Sequence, residues 1–126
     1  MNRAIFTFYN LSLDTDIVRL QEQVVNKFNT TADFLPLCSR SHGEEVIHPD
    51  AVDHGFNHLF VENHYDTVLL LDVDCIPLNA YALEYTFEQA EKGKLIGNVQ
   101  RGMHLDNDEH NYVAPSAFCL TRQMYE

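Results

Sequence analysis

Apolar positions along the chain alternate between two periods. Five continuous apolar or aromatic runs predict strands at Arg3–Tyr9, Asp33–Cys38, Thr67–Leu71, Lys94–Val99 and Tyr112–Leu120. The second run contains Pro36, which has no amide to donate, so it is predicted to be an edge strand or the end of a strand. The third run is apolar at every position, as is typical of a strand buried on both faces of a parallel sheet.

Helical spacing appears between these runs. A first helix is predicted from Asp14 to Phe28, a second opens at Pro49 and Asp50 and ends near His64, and a third is capped by Asn79 and stops at Gly93. Their inward-facing residues are predicted to be Ile17, Leu20, Val24 and Phe28; Val52, Phe56, Leu59 and Phe60; and Leu83, Phe87 and Ala90. The segment 39–48 and an acidic segment before Tyr112 are predicted to be loops.

The order of the elements predicts an α/β fold. Strands that alternate with helices are typical of right-handed βαβ units, so we expect a three-layer, Rossmann-like sandwich around a mostly parallel sheet. A length of 126 residues favours a single domain, 1–126. In sheets of this kind, ligands bind beyond the carboxyl ends of the central strands.

The net charge, the lengths of the apolar runs and the cysteines limit the classes of partner and the cellular compartment that the sequence fits. The formal net charge of −11 would repel a nucleic-acid backbone or an anionic bilayer. No run approaches the roughly 18 apolar residues of a membrane span, and the first ten residues lack the features of a secretory leader. The three cysteines, Cys38, Cys75 and Cys119, are widely separated and lack a CxxC spacing. They indicate neither a paired disulfide framework nor a zinc knuckle, so we expect a cytoplasmic protein.

The main chemical motif is Asp72-Val73-Asp74, which directly follows the apolar run Thr67–Leu71. In an extended segment, residues i and i+2 point to the same side, so both carboxylates are predicted to face one ligand. A hard divalent cation such as Mg²⁺ or Mn²⁺ relieves their mutual repulsion and bridges to diphosphate oxygens. Pro77 then turns the chain toward the helix that begins near Asn79.

A hydrophobic strand, the DxD motif, a proline and a capped helix together resemble the glycosyltransferase A-type fold. The resemblance implies a metal-dependent transferase that moves a sugar from a nucleotide-diphosphate donor to an acceptor hydroxyl. Within it, Asp72 and Asp74 would bind the metal, and one of them, here assigned to Asp72, can also contact the nucleotide ribose. The first strand and the following loop hold the base, which points to Phe8, Tyr9 and Asn10. The segment Val113–Tyr125 is similar to a strand-then-helix segment that follows the motif in such enzymes.

Transferases of this type are usually much longer, and their later part supplies the acceptor site and often a base or a further metal ligand. The resemblance therefore predicts a chain truncated at its C-terminus, and a non-catalytic scaffold of the same fold remains an alternative. Further candidates fall outside the DxD segment. They are Asp106, Asp108 and Glu109 as the base, His104 and His110 as metal ligands or exposed side chains, and Arg40 and Arg101 as diphosphate contacts.

Two other interpretations of the acidic pair stay open. Asp72 and Asp74 are alternatively solvated loop carboxylates beside the next helix. Haloacid dehalogenase-like phosphatases also place DxD after an apolar strand, with the first aspartate as nucleophile and the second as general acid. Against this alternative, position 76 is Ile where that motif prefers Thr or Val. His54 and His58 have the spacing of a two-histidine metal site but lack a third ligand, so a solvated face is predicted for them.

Overall fold

The computed structural model describes residues 2–9, 15–29, 31–38, 40–41, 44–45, 48–105 and 108–126. Side chains are described over the shorter ranges 2–9, 15–29, 31–37, 52–98 and 117–126. Within the described part of the chain, no helix has the length and apolarity needed to cross a bilayer.

The elements alternate as the pattern predicts. In chain order they are β1 (Arg3–Tyr9), α1 (Thr15–Phe28), β2 (Ala32–Cys38), β3 (Arg40–Ser41), β4 (Glu44–Glu45), α2 (His48–Asn57), a π-helical segment (His58–Glu62), β5 (Thr67–Leu71), α3 (Ala80–Glu91), β6 (Ile96–Leu105), β7 (Asp108–Thr121) and α4 (Arg122–Tyr125). The five predicted strands and three predicted helices are confirmed, and the protein is a small α/β fold.

Two predicted loops are wrong in part. The segment 39–48 contains the short antiparallel pair β3 and β4, in which Arg40 lies opposite Glu45. The predicted acidic loop before Tyr112 is instead mostly strand, because β6 and β7 continue as an antiparallel pair as far as Leu105 and Asp108. These parts of both strands are rich in polar residues and lack the alternation of apolar and polar positions from which a strand is predicted.

Five strands form one mixed sheet in the order β2-β1-β5-β7-β6. β1 is parallel to β2 and to β5, whereas β7 is antiparallel to both β5 and β6. Four of these strands therefore share one direction, and β7 runs against them. Pro36 lies on β2 at the sheet edge, opposite Thr7, as its missing amide requires.

Helices cover both faces of the sheet, because alternate side chains of each strand point to opposite sides. One face carries Ile5 and Leu69, and α1 and α3 pack against it. The other face carries Phe6 and Leu70, and α2 with the π-helical segment packs there. The helix residues that complete these two clusters are Val25, Leu83, Phe87 and Ala90 on the first face, and Phe56, Leu59 and Phe60 on the second.

The predicted inward face of α1 is confirmed for Phe28, which packs against the core, and is wrong for Ile17 and Leu20. The helix buries Gln21 and Val25, whereas Ile17 and Leu20 are 40% and 57% exposed. A buried amide is costly unless it is hydrogen-bonded, which is why a pattern based on apolar residues alone left Gln21 out. In the structure its amide group donates two hydrogen bonds, so this orientation of the helix is stabilised.

The ends of α2 and α3 test the predicted boundaries. Asn79 caps α3, since its side chain accepts a hydrogen bond of 2.8 Å from the amide of Ala82. Gly93 follows with a φ of +91°, which confirms the predicted left-handed stop. α2 begins at His48, so Asp50 lies inside its first turn rather than opening it.

Candidate functional site

The candidate site lies at the carboxyl end of β5, next to the carboxyl end of β1. These two parallel strands pair as far as Phe6 opposite Leu70. β1 continues to Tyr9, and β5 ends at Leu71, directly before the DxD motif. The end of β1 and the DxD motif therefore lie at the same edge of the sheet, in the region where parallel α/β sheets bind ligands.

Asp72 to Cys75 form a tight turn. The amide of Cys75 donates a 2.8 Å hydrogen bond to the carbonyl oxygen of Asp72, and Val73 and Asp74 occupy the two corners. The prediction that this segment is extended is therefore wrong, and the i, i+2 rule does not fix the directions of the two carboxylates. Asp72 is half-buried and Asp74 is exposed, so the turn carries one acid at the edge of the core and one in solvent.

The thiol of Cys75 lies next to the two carboxylates, and their charges change its pKa. Cys75 is half-buried and packs against the apolar cluster between β5, α1 and α3. Burial raises the pKa of the Cys75 thiol, and the negative charges of Asp72 and Asp74 raise it further. The thiol is thus held in its protonated form.

Gln21 links α1 to the back of the turn. Its side chain is 1% exposed, and its amide nitrogen donates to the carbonyl oxygens of Asp72 at 2.7 Å and Cys75 at 2.8 Å. The sequence analysis missed this residue. A usable indication was present, since Gln21, Val25 and Phe28 also follow helical spacing, with a polar residue on an otherwise apolar stripe.

The surface beside the turn is apolar. Ile76 is 43% exposed, Leu78 83% and Tyr81 73%. The rings of Tyr81 and Tyr85 lie one helical turn apart with centroids separated by 5.8 Å. Isolated exposed apolar residues are common, but here they follow directly after the acidic turn and give it an apolar rim.

The donor atoms at the turn fit a hard divalent cation. Asp72 and Asp74 supply carboxylate oxygens, the ligand type that Mg²⁺ and Mn²⁺ prefer. Such hard ions prefer carboxylate oxygen to the sulfur of Cys75. Over the described residues, no group of three or more His, Cys, Asp or Glu side chains is arranged around a common point. Two carboxylates completed by substrate phosphates and water are nevertheless a usual Mg²⁺ arrangement.

The structure describes the side chains of some of the remaining predicted residues and only the backbone of others. Phe8 and Tyr9 are half-buried at the end of β1, beside the turn. Asn10 and Asp106 lie outside the described residues. Only the backbone is described for the following candidates: Arg40 in β3, Arg101 and His104 in β6, and Asp108, Glu109 and His110 in β7.

The β6–β7 hairpin extends beyond the carboxyl end of β5. Leu71 pairs with Ala117, so the residues of β7 before Ala117 continue past the edge where the acidic turn lies. Glu109 and Asp108 come eight and nine positions before Ala117. The register of β7 against β6 shifts between Gly97 and Asn98, so β7 does not run straight past that edge. The assignment of Asp108 and Glu109 as candidate bases stays a prediction.

A histidine pair and a cavity lie away from the acidic turn. The rings of His54 and His58 stack at 6.5 Å, and His58 also contacts Glu62 at 2.7 Å and Asn63 at 3.2 Å. These contacts fit the predicted solvated polar face. A cavity of about 320 Å³, lined in part by Asp66, lies at the opposite, amino end of β5 and contains none of the predicted site residues.

No protein-family model matches the chain, and searches of curated proteins and of solved structures also gave no match.

Proposed function

We propose that this chain is the nucleotide-binding part of a metal-dependent glycosyltransferase with a glycosyltransferase A-type, Rossmann-like fold. Its acidic turn binds Mn²⁺ or Mg²⁺ together with the diphosphate of a sugar nucleotide. The observation that carries the proposal is the position of this turn. Asp72 and Asp74 lie at the tip of a fully buried central strand, beside the carboxyl end of the parallel strand β1.

The surroundings of the turn suit two parts of a sugar nucleotide. Phe8 and Tyr9 end the neighbouring strand and are assigned to the base. Leu78 and Tyr81 follow the turn in sequence and expose apolar surface against which the apolar C–H face of the sugar can pack. The diphosphate would bind at the carboxylates.

The charge of the chain makes the cation necessary for such a ligand. With a formal net charge of −11, the protein repels a free diphosphate at long range. A bound divalent cation reverses the sign of the local field, and it would stabilise charge on the departing nucleoside diphosphate. The acceptor is a hydroxyl compound, and its binding residues remain unassigned in this chain.

Calorimetric titration tests the proposal. The chain is titrated with UDP, GDP, ADP and CDP in turn, each with Mn²⁺ and each with EDTA. We expect one nucleotide to bind in the presence of Mn²⁺ and to lose that binding in EDTA. Because the nucleotide is recruited through the cation, Asp72→Asn and Asp74→Asn are expected to weaken it at least tenfold, which corresponds to about 1.4 kcal/mol.

Glu88→Gln is the matched control, since it removes the same charge from an exposed position on α3 away from the turn. It should bind like the parent protein. If no nucleoside diphosphate shows Mn²⁺-dependent binding, the proposal fails and a scaffold that binds only partners is favoured. If the chain instead hydrolyses an aryl phosphate with Mg²⁺, and Asp72→Asn abolishes that turnover, the phosphatase alternative replaces it.

A further inference from the structure

We propose that Gln21 is a positioning residue that holds the Asp72–Cys75 turn, and with it the two carboxylates, in the conformation that binds the cation. This inference rests on the proposed function of the turn. It concerns a helix that the DxD motif does not include, and it predicts that a change on α1 alters cation binding.

The contacts are specific to a glutamine amide. The side-chain nitrogen of Gln21 has two hydrogens, and it donates to two carbonyl oxygens of the same turn at 2.7 and 2.8 Å. The carbonyl of Asp72 also accepts from the amide of Cys75. Both carbonyls are thereby directed inward toward α1. Asp72 is half-buried and Asp74 is exposed.

The side-chain oxygen of Gln21 shows that the amide group is not kept for its acceptor. The side-chain oxygen of Gln21 is buried and has no hydrogen-bond partner among the described residues. A buried acceptor without a partner is unfavourable, and an apolar side chain of similar length would avoid that cost at this position. The favourable contribution of Gln21 is therefore its two donated hydrogen bonds to the turn.

Replacement by methionine separates these effects. Gln21→Met keeps the length of the side chain and removes both donors. Gln21→Glu also lacks donors when ionised, and it places a carboxylate against two carbonyl oxygens. Val25→Ala is the matched control, since Val25 is 0% exposed one turn further along the same helix and its apolar side chain donates no hydrogen bond to the turn. Val25→Ala should lower the thermal midpoint while leaving the turn intact.

Two measurements test the proposal, both on the whole chain. The first is the affinity for Mn²⁺ alone, followed by the electron paramagnetic resonance of the free ion at a temperature where all variants are folded. We expect Gln21→Met to weaken binding tenfold or more and Val25→Ala to stay within twofold of the parent. The second is amide hydrogen exchange in the peptide 72–76 without metal, which should become faster in Gln21→Met because the turn opens more often.

The outcomes are distinct from those that test the proposed function. If the parent protein does not bind Mn²⁺ alone, the role of Gln21 in cation binding is overturned, whereas the proposed function is decided separately by Mn²⁺-dependent binding of a nucleoside diphosphate. Unchanged exchange in Gln21→Met overturns the proposal. So does faster exchange accompanied by unchanged Mn²⁺ affinity, since the conformation held by Gln21 would then not matter for the cation. A fall in Mn²⁺ affinity that Val25→Ala reproduces equally would assign Gln21 to general stability only.

Discussion

Arg3 and Glu91 face each other across the interface between β1 and α3. The guanidinium donates two parallel hydrogen bonds to the two carboxylate oxygens, at 2.7 and 2.8 Å. It also donates to Glu84 at 2.7 Å and lies over the ring of Phe87, 5.1 Å from its centroid. The side chains of Arg3 and Glu91 are only 13% and 16% exposed, so this bidentate pair is shielded from solvent.

Removing the arginine should destabilise the fold. In Arg3→Met, two carboxylates lose their partner at a largely buried position. Breaking a fully buried pair costs about 3 to 5 kcal/mol, and because Glu84 is partly exposed we expect a loss of about 2 kcal/mol. Urea denaturation followed by circular dichroism measures it. Arg19→Met on the exposed side of α1 is the control and should change the free energy of unfolding very little.

The same pair predicts a pH dependence at the acid end. The hydrogen bond from Arg3 lowers the pKa of the Glu91 carboxyl below its usual range, against the opposing effect of burial. A lowered pKa in the folded state contributes stability that is present above the unfolded pKa and is lost as the pH falls through the folded one. Glu91→Gln should therefore be less stable than the parent near neutral pH and should flatten the acid limb of its stability curve. An acid limb of unchanged slope would contradict this assignment.

Tyr65 and Asp33 predict a pH dependence at the alkaline end. The phenol donates a 2.6 Å hydrogen bond to the carboxylate, which together with burial raises the pKa of Tyr65 from 10.0 to about 12. A raised pKa favours the protonated folded state, so this stability is complete below pH 10 and is lost as the pH rises toward 12. In Tyr65→Phe, the decline in thermal midpoint across that window should be smaller than in the parent. Asp33→Asn should reduce it as well, since it removes the charge from the acceptor.

Gly55 allows α2 to approach β1 closely. A methyl group at this position would lie 2.5 Å from Cε2 of Phe6, whose ring is fully buried and packs edge-on against Phe56 at 5.1 Å. Gly55→Ala should destabilise the protein by about 1 to 3 kcal/mol through this overlap, although alanine is the better helix former by up to about 1 kcal/mol. Chemical denaturation measures the difference. A double variant with Phe6→Leu should recover part of the loss, whereas a gain in stability from Gly55→Ala alone would show that α2 can move away.

Asn79 caps the helix that follows the acidic turn. Replacing it with alanine removes the hydrogen bond to the amide of Ala82 and should cost about 1 kcal/mol. Asn79→Asp is the matched control, because aspartate caps equally well and its charge is favourable at a helix N-terminus. Thermal unfolding should place Asn79→Asp close to the parent and Asn79→Ala clearly below it.

The parts of the fold that could be predicted are those encoded by local patterns. The unbroken apolar run Thr67–Leu71 is the fully buried strand β5, and the boundaries Asn79 and Gly93 follow from capping chemistry. The long extensions of β6 and β7 could not be predicted in this way. Their pairing depends on hydrogen bonds between backbones, and their polar side chains give no periodic pattern.

The candidate site was predicted only in outline. The position of Asp72 and Asp74 after a central strand followed from the sequence, but the turn between them depends on a hydrogen bond from Cys75 and on two donated by Gln21. Gln21 is 51 residues away from Asp72 along the chain. A contact of that range depends on how α1 packs on the sheet, which a local pattern does not contain.

The position of β7 between β5 and β6 also determines the order in which the chain can assemble. β1 and β2 are joined through one helix and can pair early, but one edge of β5 is completed only when Ala117–Thr121 arrive to pair with it. Pairings between distant segments form slowly. During synthesis on the ribosome, β5 therefore keeps an open, apolar edge until Ala117–Thr121 have emerged, and this exposes the strand to misassembly.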